Sequence, residues 1–107
     1  MNNKYYDLYC NGKCYQVKAV KDRYDYGNNL AIFLLTKENE MFCVLTVNLE
    51  DNQFDFPNLA YVDTNNCPFA EKFITENKLG KFKNQYGFSG FCRYPLYEFD
   101  LSKLNEE

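Results

Sequence analysis

The stretch Lys4-Tyr5-Tyr6-Asp7-Leu8-Tyr9-Cys10-Asn11-Gly12-Lys13-Cys14-Tyr15-Gln16-Val17-Lys18-Ala19-Val20 decides the fold, because it reads as two alternating runs hinged on Asn11-Gly12. Asn-Gly is the dipeptide that best tolerates two successive left-handed residues, which a two-residue hairpin turn requires. Such a turn fixes the register: Cys10 opposite Lys13, Tyr9 opposite Cys14, Leu8 opposite Tyr15 and Tyr6 opposite Val17. One face is then apolar (Tyr6, Leu8, Tyr15, Val17). The other is wetter, with Tyr5 opposite Lys18 and Asp7 opposite Gln16. Cross-strand pairs such as Tyr6 with Val17 contribute roughly 0.2–1 kcal/mol each. An antiparallel sheet with an edge strand at its start follows.

Working outward, Asp22 to Asn29 is a polar loop of turn formers that also holds Tyr24 and Tyr26. Leu30–Thr36 and Met41–Leu49 are apolar on both alternating faces, as strands covered on both sides are, so both are expected in the middle of the sheet. Glu50–Asn58 is an acidic loop, and Leu59–Asp63 a short strand. The clearest helix signal follows: Thr64-Asn65-Asn66 as caps, Pro68 in the first turn and Gly80 as C-cap, giving a helix of about eleven residues. Lys81–Tyr86 reads as a basic connection and Gly87–Gly90 as a loop. Phe91–Phe99 is a strand in which Pro95 demands an edge or a bulge. The expectation is one α+β domain over residues 1–107: a mainly antiparallel sheet of five or six strands with one helix packed on it.

At 107 residues and 12.7 kDa, about two-thirds of the chain's surface should be buried on folding, enough for one core. With 46% hydrophobic and 25% charged residues, the chain is not a disordered tail. Its longest apolar run, Leu30–Leu35, is far short of the ~20 residues of a membrane helix, and the N-terminus has no apolar signal-peptide core. A cytoplasmic location is expected. The net charge of −3 is unevenly spread. Residues 1–23 carry five cations against two acids. Residues 24–71 carry Lys37 alone against eight acids, and residues 72–103 carry six cations against three acids. This balance disfavours a general duplex binder, which needs many phosphate contacts.

No constellation for catalysis emerges. Histidine, the commonest general base, is absent. Ser89 in Gly87-Phe88-Ser89-Gly90-Phe91 lacks the spacing of a nucleophile elbow, and no phosphate-binding glycine loop occurs. Cys92 beside Arg93 has the charge environment of an activated thiolate but no base partner. The five cysteines (Cys10, Cys14, Cys43, Cys67, Cys92) are odd in number, and the hairpin register points Cys10 and Cys14 to opposite faces. Small buried thiols explain them better than a metal site does. No cofactor, no metal and no enzymatic activity is expected. Ten Tyr and ten Phe without Trp suit a core with tyrosines at its rim, and beyond that an interface.

Three segments carry a resemblance: Val44-Leu45-Thr46-Val47-Asn48-Leu49, Ala60-Tyr61-Val62-Asp63-Thr64-Asn65-Asn66, and Ser89-Gly90-Phe91-Cys92-Arg93-Tyr94-Pro95-Leu96-Tyr97-Glu98-Phe99. Together they resemble an uncharacterised small-protein family carried on bacterial plasmids, conjugative elements and phages, over roughly residues 24–101. The family brings no assigned activity and no site residues. By analogy of setting and size, it implies a non-enzymatic binding protein that inhibits a host defence system, of anti-CRISPR or anti-restriction type. Its partner is then a host protein such as a defence nuclease or effector. The residues read as partner-binding are Tyr24, Asp25, Tyr26, Glu38, Glu40, Glu50, Asp51 and Asp55, an acidic, tyrosine-bearing set suited to a basic groove. The alternative is a single-stranded nucleic-acid module that stacks bases on Tyr5 and Tyr9 beside Lys18.

Overall fold

The computed structural model describes residues 4–25, 29–49 and 56–106. The chain forms β1 (Tyr6–Cys10), β2 (Lys13–Arg23), β3 (Leu30–Leu35), β4 (Met41–Val44), β5 (Thr46–Val47), β6 (Leu59–Val62), α1 (Ala70–Glu76), β7 (Gly80–Ser89), β8 (Cys92–Phe99) and a 3₁₀ turn at Leu101–Lys103. The strands make two four-stranded antiparallel sheets, ordered β1-β2-β3-β4 and β5-β6-β8-β7, instead of one sheet of five or six. The α+β class holds; the strand count rises because two expected loops are paired and one apolar run changes sheets.

The first hairpin has the register that Asn11-Gly12 dictates, from Tyr6 with Val17 to Cys10 with Lys13. Asn11 and Gly12 both take positive φ (52° and 76°), as a primed turn demands. β2 is eleven residues long because it serves two partners, β1 along its first half and β3 along its second. Where β1 ends, Asn105 continues that edge: its N–H donates to the Ala19 carbonyl (2.7 Å) and its carbonyl accepts from Lys21 N–H (2.9 Å). The Asn105 side chain also accepts from Lys4 N–H and donates to the Lys4 carbonyl, at 2.9 Å each.

The run from Met41 onward corrects the expectation of a central strand. β3 is internal, but β4 is the edge of its sheet, and the chain crosses to the second sheet at Leu45. Leu45 N–H donates to Ile32 in the first sheet, and its carbonyl accepts from Asp63 just beyond β6, both at 2.9 Å. The residue is fully buried at this junction. Apolar character on both faces thus reflects a strand that changes sheets, not one in the middle of a single sheet.

The helix is seven residues, not eleven. Thr64–Asn66 forms a separate turn held by Asp63, whose carboxylate accepts from Asn66 N–H (3.1 Å) and side-chain amide (2.9 Å). At the other end the left-handed residue is Lys78 (φ 55°), not Gly80. Leu79 N–H reaches back to Ile74 and Lys78 N–H to Thr75, which is a Schellman closure two residues earlier than expected. Gly80 instead opens β7, where an added Cβ would lie 2.8 Å from the Glu98 carbonyl.

The segment expected as a basic connection and loop is the ten-residue β7. It pairs with β8 on either side of a register shift between Phe82 and Tyr86, and Asn84 is left-handed (φ 59°) within it. Gly90-Phe91 closes the β7–β8 hairpin, with Gly90 at φ 60° in the first central position. Pro95 lies in β8, which is internal. It is tolerated because β6 pairing stops at Leu96 and because the register shift of β7 falls beside it. The bulge expectation therefore holds and the edge expectation does not.

Two cores result. The larger fills the space between the inner faces of the sheets and α1, with Leu8, Val17, Ile32, Leu34, Val62, Phe73, Ile74 and Phe99. The smaller lies on the outer face of the second sheet, from Leu49, Tyr61, Tyr94 and Leu96. Fully burying side chains of this size stabilises by about 1.5–3 kcal/mol each. No helix among the described residues is long and apolar enough to cross a membrane.

Candidate interaction surface

The alternation of β1 and β2 that buries Leu8 and Val17 turns Asp7, Tyr9, Cys14 and Gln16 outward. Gln16 donates to the Asp7 carboxylate at 2.7 Å on this face. Continuing the register one step puts Tyr5 level with Lys18. Lys18 pairs with Leu35, and Leu35 with Met41. One end of the first sheet thus presents a row of Tyr5, Lys18, Leu35 and Met41 across four strands. The Thr36–Glu40 turn rises beside it, closed by Thr36 N–H to Glu40 (2.9 Å). It brings Glu38 and Glu40 to the row, and Lys37 Nζ stands 5.8 Å from the Tyr5 ring centroid. Tyr5, Tyr9 and Met41 are 37%, 54% and 55% exposed.

The acidic set is distributed differently. Glu38 and Glu40 are exposed together at the far end of β3, while Asp25 is exposed beyond its near end, roughly 20 Å away at the rise of a strand. Tyr24 is half-buried, and its hydroxyl is hydrogen-bonded to Thr46 Oγ1 at 2.9 Å. Burial raises its pKa above the ordinary phenol value. Thr46 Oγ1 also accepts from Ile32 N–H (3.1 Å), so Tyr24 helps fasten the junction of the sheets. Tyr26, Glu50, Asp51 and Asp55 lie outside the described residues. Tyr5, Tyr9 and Lys18, read from the sequence as a second and separate set, come onto the same surface as Glu38 and Glu40.

The thiols follow the register. Cys10 packs against the main core, Cys14 is exposed on the opposite face, and Cys67 is buried with its Sγ donating to the Val44 carbonyl at 3.4 Å. A hydrogen bond shared with Cys67, together with burial, pushes the Cys43 thiol well above its ordinary pKa, which keeps it protonated. The exposed Cys14 departs from the expectation of buried thiols. Among the described residues, no group of three or more cysteines and carboxylates is arranged to hold a metal ion. Arg93 does not address Cys92: its guanidinium stacks 4.4 Å from the Tyr86 ring centroid.

A second exposed region went unread in the sequence. Tyr86, Phe88 and Phe91, at the end of the β7–β8 hairpin, are 40%, 69% and 110% exposed. The signal was present: Tyr86-x-Phe88 and Cys92-x-Tyr94 alternate about Gly90-Phe91, a Gly-first two-residue turn.

A family model described as a domain of unknown function, DUF4313, matches residues 17–107. Neither a curated protein nor a solved structure matches the chain. The match spans everything from the middle of β2 onward, leaving outside it residues 1–16, with β1, the first turn and the start of β2, and the chain belongs to the DUF4313 family.

Proposed function

We propose that this chain is a non-enzymatic binding protein of a mobile genetic element, and that it inhibits a host defence system by docking on a defence nuclease or effector. The observation that carries the binding role is the row Tyr5, Lys18, Leu35 and Met41, with Glu38 and Glu40 beside it and Tyr9 about 13 Å along β1 on the same face. Partly exposed aromatic and methionine side chains ringed by charges of both signs have the make-up of a protein interface. The mobile-element setting and the anti-CRISPR or anti-restriction role rest on the resemblance described above.

The experiment is capture from host lysate with the full chain as bait, with and without nuclease, compared with the Tyr9→Ala/Met41→Ala and Glu38→Lys/Glu40→Lys variants. A stoichiometric defence protein that survives nuclease and is lost with either variant is the expected result. Unchanged capture by both variants overturns the choice of surface.

Tyr5, Tyr9 and Lys18 sharing one sheet face favours a second reading, stacking of single-stranded bases. Asp7, Glu38 and Glu40 on and beside that face oppose a polyanion, which places this reading second. Tight, steeply salt-dependent binding of a labelled oligothymidine, lost in Tyr9→Ala, would reverse the order.

A further inference from the structure

β7 is the outermost strand of the second sheet, and no described strand pairs with its outer edge. Unpaired strand edges are templates for another chain, and proteins usually guard them with bulges and lysines. β7 is guarded along only half its length. Its first half carries Lys81, Lys83 and the register shift after Phe82; its second half, Tyr86 to Ser89, is regular and bears the exposed Tyr86 and Phe88. From Gly80 to Tyr97 the sequence contains Lys81, Lys83 and Arg93 and no carboxylate. The next acid along the chain, Glu98, is 3.9 Å from Lys83 in a solvent-exposed pair, and Glu71 of α1 reaches the Tyr97 hydroxyl at 2.8 Å.

We propose that the outer edge of β7 takes up an extended, acidic segment of a partner protein as an added strand. Main-chain hydrogen bonds to an edge supply affinity, and alternate side chains supply specificity. Side chains of the incoming strand beside Lys81 and Lys83 are acidic. Those beside Tyr86 and Phe88 are bulky and apolar, covering the exposed Phe88 ring and the open part of Tyr86, while Arg93 on Tyr86 meets a further carboxylate. A second copy of this chain would bring no carboxylate to Lys81 and Lys83, because β7 itself contains none. A nucleic acid offers the negative charge but cannot continue the ladder. This edge belongs to the second sheet and is separate from the first-sheet surface; only the class of partner is common to the two.

The test is selection of a random-peptide phage library on the full chain, followed by anisotropy titration of one labelled enriched peptide. Enriched sequences should be acid-rich with an apolar end. Binding should weaken about tenfold in Lys81→Glu/Lys83→Glu and on raising salt. It should also weaken in Phe88→Ser and stay unchanged in Glu38→Lys/Glu40→Lys, which separates this edge from the first-sheet surface. Circular dichroism checks that each variant is folded. Basic or charge-neutral enrichment, no enrichment over a blank surface, or unchanged binding by the folded Lys81→Glu/Lys83→Glu variant overturns the proposal. Tighter binding of labelled oligothymidine than of the peptide, or dimerisation through β7, overturns it in favour of that occupant.

Discussion

The Asn105 side chain makes three hydrogen bonds to the main chain. It bonds the main chain of Lys4 in both directions and reaches the Ala19 carbonyl at 3.3 Å, while only 7% exposed. Replacing it with alanine removes all three bonds and costs the Lys4 N–H and carbonyl their Asn105 partner, while the Ala19 carbonyl keeps the Asn105 N–H. Asn105→Ala should cost about 2 kcal/mol, read as a lower urea midpoint at unchanged slope. Lys78 presents the opposite case. Its left-handed conformation strains any residue with a Cβ, yet the Schellman closure requires it. Lys78→Gly relieves that strain and gives back part of the gain through a looser unfolded chain. A net stabilisation of about 0.5 kcal/mol is expected, measurable in the same denaturation series. A loss instead would mean that the lysine side chain itself holds the turn.

At the scale of elements, α1 is joined to the second sheet by Tyr97, whose hydroxyl donates to Glu71 at 2.8 Å. Burial first, and then this carboxylate, raise the phenol's pKa above its ordinary 10.0. A raised pKa in the fold means that the neutral phenol is favoured there. Its contribution is complete below pH 10.0 and drains away as pH climbs from that value toward the folded one. Tyr97→Phe should therefore lose about 1 kcal/mol at neutral pH and show a shallower decline above pH 10, followed by thermal melts across the alkaline range. An equally steep decline would assign the alkaline limit to Tyr6, Tyr24 and Tyr61, which burial also raises. Elements fixed by local chemistry were legible in advance. The first hairpin came from Asn11-Gly12 and the bulge from Pro95. The short helix and β7 were not, because a turn held by Asp63 and a long-range pairing with β8 override what local composition suggests.

For the whole molecule, the harder part of the reading was which side chains meet. The sequence separates Tyr5 from Glu38 and Glu40 by more than thirty positions and assigns them to rival surfaces. The path β1-β2-β3-β4 folds them onto one end of one sheet. Charge blocks along a chain carry no such information, since β3 parts Asp25 from Glu38 as surely as β2 and β3 unite Lys18 with Met41. The β7–β8 hairpin is signalled by Gly90-Phe91, but the exposure of Phe88 and Phe91 is not, since an apolar residue's burial depends on partners far along the chain. The Asn105 clasp has a topological consequence. Because Lys4 and Asn105 touch, the described chain is nearly a ring, and a short linker from residue 106 to residue 4 would close it without disturbing either sheet. A permuted chain reopened at Gly90-Phe91 would keep every strand neighbour while making the β7–β8 pairing the most distant contact in the order of synthesis, so the same architecture would be reached by a slower route.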